Sequence, residues 1–437
     1  MTTHALLAAL LLAQTPTPSP TTALRVERTL GLDEALREAQ ARNLDLVAAR
    51  ARLDQSKELH WKAFSGYLPQ VTAGATFTHN DQPDVTLSIP TGATTSETVL
   101  IQKQDQLAAQ IQATQAIFAP QAWFGIAAAR AGERLATDNV ESARRDVLFG
   151  VAQVYYGAAG AKQVVTIQER QLAIALDHER DAKVRYDAGA TPKITLLRAQ
   201  IDRTRAEQDL KRAQNGYQSA KVALATLLDR ERVDFEVEVP PSPPPPENPE
   251  ALRDEAPRAR PDVQAAQEQV TVNENNQRGT LTRYLPTLGA FGRYQYANVT
   301  GFAGNTTSWA VGLALNWNIL DGFLRESDLR EGRAKVREAE ATRDGAALRA
   351  RDEVESARLD LDSAVANRQK AKEQLALARE NQNLVNVNYK AGAATYLEVS
   401  DANLALLTAE LSQVSESLNA DLATLRLLKA AGKFDPH

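Results

Sequence analysis

The sequence predicts an α+β membrane protein built from a duplicated unit. Each chain gives four β-strands to a barrel shared between copies, and long α-helical hairpins continue that barrel as a tube. Three observations predict this. The stretch VNYKAGAATYLEVSDANL (Val387–Leu404) repeats, 203 residues on, the wording VRYDAGATPKITLLRAQI (Val184–Ile201), and a period near half the chain marks a duplicated architecture. In each half a Tyr-Leu-Pro break changes the apolar period from 3.6 to 2. Between the end of the strands and the repeated stretch lie 69 residues in one half (Ile117 to Tyr186) and 70 in the other (Ile319 to Tyr389), with no helix-breaking proline beyond Pro120.

Composition narrows the function classes. Charged residues are 24% of the 437 and nearly balance to a net −5, which speaks against nucleic acid as a partner. Aromatics at 5%, with abundant Ala, Leu, Gln, Glu and Arg, fit long helices better than a thick core. Cysteine is absent, so there is no disulfide framework, thiol nucleophile or thiolate metal site. No run approaches the ~18–20 apolar residues of a membrane-spanning helix. A crossing of a bilayer would have to use strands.

Residues 1–29 are expected to be an export signal and disordered leader, with the apolar run Ala5–Ala13 followed by Pro, Thr and Ser. The first repeat is expected over 30–232: a helix, a β-hairpin over 70–118, a long helix over 119–187, a tip at 188–192 and a return helix over 193–229. The Pro-rich segment 233–250 reads as a stiff equatorial linker. The second repeat, 251–437, has a helix, a β-hairpin over 287–318, a long helix over 322–390, a tip at 391–395 and a return helix over 396–431. The pre-strand helices are expected as single pieces, 33–64 and 260–282. They end where GYLPQV and RYLPTL place a proline that pushes its predecessor to extended backbone.

Val71, Ala73, Ala75 and Phe77 alternate with polar or small residues, as do Leu107, Ala109, Ile111 and Ala113. In the second half Leu288, Ala290, Tyr294 and Tyr296 share one parity, blurred by Phe291 and Gly292. Trp309, Val311, Leu313, Leu315 and Trp317 then alternate with Ser308, Ala310, Gly312, Ala314 and Asn316. Such strands of about ten residues suit a barrel wall with Trp309, Val311, Leu313, Leu315 and Trp317 toward lipid. Polar loops, 80–104 and 298–307, are expected between the strands of each pair.

At 1.5 Å per residue each long interval forms a helix of roughly 100 Å. From Val354 to Tyr389 the second keeps a 3,4-spaced seam rich in alanine. The pre-strand and return helices, placed end to end, match that length, which describes unbroken helices beside helices made in two parts. Four strands cannot enclose a lumen and leave two edges that a bilayer cannot satisfy. The chain therefore needs copies of itself; three would make twelve strands, though the number is not written in the sequence.

Gly189 and Gly392 sit where each long helix reverses, in the left-handed position of a helix C-cap. Glu398 and Asp401 fall in the first turns of the next helix. There they complement its dipole, or, repeated by symmetry at the mouth of a tube, form an acidic ring. The two YLP breaks, ARPDVQAAQEQV, NILDGF and the doubled Tyr-x-x-Gly tips occur in an order that resembles the TolC-type outer-membrane efflux family (outer membrane factors), over about 30–431. The resemblance implies a homotrimer with a twelve-stranded barrel in the outer membrane and a periplasmic helical tunnel. Its tips meet a periplasmic adaptor and an inner-membrane pump or ABC-type exporter. It implies that Tyr389, Glu398 and Asp401 narrow and charge the periplasmic aperture, and that Tyr186, Gly189 and Gly392 belong to the tip turns where an adaptor docks. The family's better-known members hold this gate with an arginine and an acid across the tips; here Ala394 and Thr195 stand at those positions. Lys193 and Arg198 are candidate substitutes, pairing with Glu398 or Asp401.

His4, His60, His79, His178 and His437 are scattered without metal-ligand spacing, and no phosphate-binding glycine loop or nucleophile elbow is present. No cofactor, metal or catalysis is assigned. The expected function is a passive exit duct of a tripartite efflux or type I secretion system. The competing reading is a non-transporting periplasmic coiled-coil scaffold or adaptor. The alternation at Trp309–Trp317 argues against a scaffold, and two hairpins rather than one argue against an adaptor.

Overall fold

The computed structural model describes residues 28–90, 96–246, 248–300 and 305–435. The apolar run expected to direct export lies outside them. The elements run β1 (Arg28–Leu30), α1 (Leu32–Arg42), α2 (Leu44–Ser65), β2 (Gln70–His79), β3 (Val85–Pro90), β4 (Ser96–Gln102), β5 (Asp105–Phe118), α3 (Pro120–Asp187) and α4 (Lys193–Leu227). They continue with β6 (Phe235–Val237), α5 (Leu252–Ala259), α6 (Pro261–Leu281), β7 (Thr287–Ala297), β8 (Thr307–Asn316), α7 (Leu324–Lys390) and α8 (Tyr396–Ala430).

Four of these strands form one antiparallel sheet in the order β2-β5-β7-β8. Directly opposed residues share a face, and the register makes the apolar positions continuous across the sheet. Ala73 faces Ile111, Phe77 faces Leu107, Ile111 faces Tyr294, Tyr294 faces Trp309 and Ala290 faces Leu313. The blurred parity in β7 has a local cause. Gly292 lies on the apolar face opposite Val311, whereas Phe291 lies on the other face directly opposite Gly312. A Cβ on Gly312 would stand 3.0 Å from the Phe291 ring, so the glycine makes room for it.

Helices α3 and α7, 68 and 67 residues, are unbroken, roughly 100 Å each. α3 packs against α2 and α4 on one side and α6 and α8 on the other, and α7 packs against α5, α6 and α8. The two-part columns are stitched at the same point. Asn43, N-cap of α2, accepts from Asp45 N at 3.0 Å and donates Nδ2 to the carbonyl of Leu227 at the end of α4, also at 3.0 Å. Arg260, N-cap of α6, reaches the Ala430 carbonyl at the end of α8 at 3.5 Å. Along α7 the seam Val354, Ala357, Leu361, Ala364, Ala371 and Tyr389 is buried.

The main core sits at mid-rod, where Leu148, Val151, Tyr155, Leu224, Leu228, Phe235 and Val237 pack together. The first part of the linker packs there. β6 pairs in parallel with β1, so Arg28 and Thr29, expected in the leader, belong to a strand. Tyr155 Oη lies 2.7 Å from the Leu30 carbonyl and 2.9 Å from that of Glu238, and Tyr156 donates to the Pro241 carbonyl at 3.1 Å. Lys221, almost wholly buried, holds Glu236 at 2.8 Å, and Tyr217 donates to the same carboxylate at 2.6 Å.

Two further expectations are corrected. The polar stretch 80–104 is not all loop: β3 and β4 form a separate antiparallel pair, because Val85, Leu87 and Ile89 alternate with polar residues between the turn-forming flanks. The first pre-strand helix, expected over 33–64, is divided at Asn43, where the chain passes from one stacked piece to the next, whereas the second runs unbroken as α6, close to its expected 260–282.

Candidate functional site at the hairpin tips

Both long helices stop in the same way. Gly189 (φ +75°) and Gly392 (φ +77°) take the left-handed conformation, and each closes a Schellman motif. Ala190 N donates to the Arg185 carbonyl and Gly189 N to that of Tyr186, both at 2.8 Å; Ala393 N donates to Asn388 at 2.8 Å and Gly392 N to Tyr389 at 3.1 Å. No heavy atom would lie within 4 Å of a Cβ at either glycine, so conformation alone calls for glycine.

The second return helix is better anchored than the first. Thr395 caps α8 with a reciprocal box: Glu398 N donates to Thr395 Oγ1 at 3.4 Å, and Thr395 N donates to Glu398 Oε2 at 2.6 Å. The Thr395 amide foremost, and then the Thr395 hydroxyl donating to the same oxygen at 2.9 Å, hold the Glu398 pKa below its ordinary value. The Pro192 cap of α4 offers no side-chain acceptor.

Between the tips lies a small core of Ala182, Ala199, Tyr389, Tyr396 and Val399. Tyr389 is turned into it, 8% exposed, with the Arg185 guanidinium 4.6 Å above its ring and its hydroxyl unpartnered among the described residues. Tyr396 crosses from the second hairpin to the first and donates to Asp202 Oδ2 at 2.9 Å; Ser400 donates to the same oxygen at 3.2 Å. Burial and then the Asp202 carboxylate push the Tyr396 phenol up. Beside them Gln382 donates to Asn403 Oδ1 at 3.2 Å, and Asn403 Nδ2 lies 3.1 Å from His178 Nε2. His178, Asp202, Tyr396, Ser400 and Asn403 line a cavity of about 110 Å³. Higher up, Glu410 on α8 is held by Arg170 of α3 at 2.9 Å and Arg379 of α7 at 3.5 Å.

Of the residues singled out in the sequence, Gly189, Gly392, Tyr186 and Tyr389 sit at the tip turns. Glu398, Asp401, Lys193 and Arg198 are exposed around them. Within the chain neither Lys193 nor Arg198 forms an ion pair with Glu398 or Asp401; Glu398 is engaged by its own cap. Thr195 and Ala394 are both half-buried. The sequence reading missed Asp202, Tyr396, Ser400, His178, Asn403 and Gln382. Tyr396 and Ser400, four apart on the helix carrying Glu398, were the available signal. Among the described residues no group of three His, Asp or Glu side chains could hold a metal.

The described outer membrane efflux protein family model matches residues 35–230 and 252–433. The chain belongs to the outer membrane efflux protein family. The outer membrane efflux protein BepC of Brucella suis is 23% identical over 414 residues, spanning 92% of this chain and 85% of BepC. Among solved structures, the outer membrane protein VceC of Vibrio cholerae superposes with a TM-score of 0.75 at 19% identity, covering 92% of this chain and 96% of VceC. The open state of the MtrE outer membrane channel of Neisseria gonorrhoeae gives 0.73 at 18%, covering 97% and 96%.

As an outer membrane efflux protein the chain resides in the outer membrane, with its helical part in the periplasm. The family and its fold are those of channels, not enzymes. Among the described residues no helix is long and apolar enough to cross a membrane. In the four-stranded sheet Trp309, Val311, Leu313 and Leu315 are each 66–73% exposed, on the single continuous apolar face, and Trp317 follows at its rim.

Proposed function

We propose that this protein is the exit duct of a tripartite efflux or type I secretion system. It is a passive homotrimer whose twelve pooled strands span the outer membrane and whose tips meet a periplasmic adaptor and, through it, an inner-membrane pump or ABC-type exporter. One observation carries the trimer: the flanks of a single chain are open and apolar at both ends. Among the described residues β2 and β8 lack outer partners. On α7, Leu348, Leu359, Leu377 and Leu384 are exposed and fall within about 20° of one another at 100° per residue, opposite the buried seam. On α4, Ile194, Leu197, Ile201 and Val222 are exposed and likewise oppose the face that buries Ala199, Ala206 and Leu224. Two different flanks that must both be covered pair heterologously, and such contacts form a ring when their rotation closes.

In this reading Tyr186, Gly189 and Gly392 form the adaptor-docking rim. Asp401, free of ion pairs among the described residues, repeats around the periplasmic aperture, with Glu398 and Tyr389 behind it and Lys193 and Arg198 on the neighbouring flank. The test uses the natural absence of cysteine. Leu384→Cys with Ile201→Cys, at similar depth from the tips, should oxidise into a ladder ending at three copies, and the purified protein should conduct in planar bilayers. A protein that stays single-copy and never conducts sinks the reading.

A further inference from the structure

The inward face of the membrane sheet carries an unassigned charge. Opposite the apolar face, the strands present residues such as Thr76, Gln110, Gln112, Gln295 and Ser308. Among the described strand residues of that face, Arg293 is the only charged one. It lies near the middle of β7, directly opposite Gln112 on β5 and Ala310 on β8. It is exposed, and it forms no ion pair among the described residues. A cation left unpaired on the side turned away from lipid has water, not a carboxylate, as its partner. Its field is therefore available to whatever passes.

We propose that Arg293 is the selectivity residue of the membrane-spanning section, forming a ring of guanidinium groups that favours anionic solutes at the exit; this rests on the trimeric-duct reading. Twelve strands about 4.8 Å apart and tilted about 40° give a backbone diameter of roughly 24 Å. Arginines reaching inward from that wall stand within roughly one Debye length, ~8 Å at physiological salt, of the axis. Their potentials thus overlap across the whole lumen, unlike those of charges on a wide pore wall. Rings of arginine or lysine select anions by this mechanism. The flanking amides are neutral donors and acceptors that neither cancel the charge nor bind an anion tightly enough to trap it.

The test is reversal potential in planar bilayers under a KCl gradient at low salt. Arg293→Gln should lower the chloride-to-potassium permeability ratio about fivefold, a difference that shrinks in 1 M KCl, where the Debye length is ~3 Å. Arg293→Lys should keep it. A second route avoids any folding defect. Arg293→Cys, the sole cysteine, is modified after assembly with a cationic or an anionic methanethiosulfonate. The cationic reagent should restore anion preference and the anionic one reverse it. Currents from the unmodified protein with permeability ratios untouched by these changes overturn the proposal while leaving the duct intact. An unmodified protein that carries no current at all removes the duct reading, and this inference with it.

Discussion

The hydroxyl of Tyr396 donates to Asp202 Oδ2 at 2.9 Å, joining residues 194 apart in sequence and tying the second hairpin to the first at their tips. Hydrogen bonds to an ionised partner contribute more than neutral ones. Tyr396→Phe keeps the ring in its core of Ala182, Ala199 and Val399 and removes only this bond, leaving Ser400 on the carboxylate. The expected loss is about 1–2 kcal/mol of local stability, read as faster amide exchange in the first turns of α4 and α8. Unchanged exchange there would show that the bond does not hold the tips together.

The tip should also loosen in acid. Burial, the largest cause, holds the His178 pKa below its ordinary 6.5, while Asp181, Asp177 and Asp202 oppose it and Lys390 adds to it. The folded tip therefore binds fewer protons than the unfolded chain as pH falls below 6.5, and stability is lost from there down through the lower folded value. Exchange protection around Asn403 and Gln382 should hold above about pH 6.5 and drop as the pH is lowered from there. His178→Gln should flatten that dependence; an equal drop in the variant would assign the effect to other groups.

Gly189→Ala and Gly392→Ala should each cost about 1 kcal/mol or somewhat more, because an L-residue is strained at φ near +75°. With nothing near the added Cβ, the two penalties should be similar and additive by thermal unfolding of the isolated protein. Strong inequality would point to contacts beyond the backbone.

In the sheet, Leu313→Arg should disfavour membrane assembly by about 2–4 kcal/mol, the cost of a charge facing lipid near the midplane. Gln295→Arg, on the opposite face, should be tolerated. Heat-resistant assembly on gels distinguishes the two, and equal effects would mean that the apolar face does not look outward. Gly312→Val, whose side chain would collide with the Phe291 ring, should likewise weaken assembly, and Phe291→Ala in the same chain should partly restore it.

Much of the fold could be read from periodicity. Trp309–Leu315 alternate because one face of β8 is apolar, and the α7 seam from Val354 to Tyr389 is spaced for a helix neighbour on one side. Less local features were not readable. Asn43 interrupts an otherwise continuous helical pattern with no proline, and its role as a cap is set by the Leu227 carbonyl that meets it. The β3–β4 pair hides in a Thr- and Ser-rich stretch whose short apolar alternation resembles loop composition. At the tips the turns were visible as Tyr-x-x-Gly. The Tyr396–Asp202 contact was not, since it depends on how two hairpins from opposite halves stand against each other in depth.

The equatorial seams have a mechanical consequence. α4 and α8 end at Leu227 and Ala430, while α2 and α6 begin afresh just above them, with Asn43 and Arg260 bonding across the breaks. Only α3 and α7 run through as continuous shafts, and Tyr155 and Tyr156 bind the centre of α3 to the Leu30 and Pro241 carbonyls. A torque on the lower half of the rod therefore reaches the strands along two unbroken helices and two jointed ones, and the jointed columns are the more compliant of the two kinds.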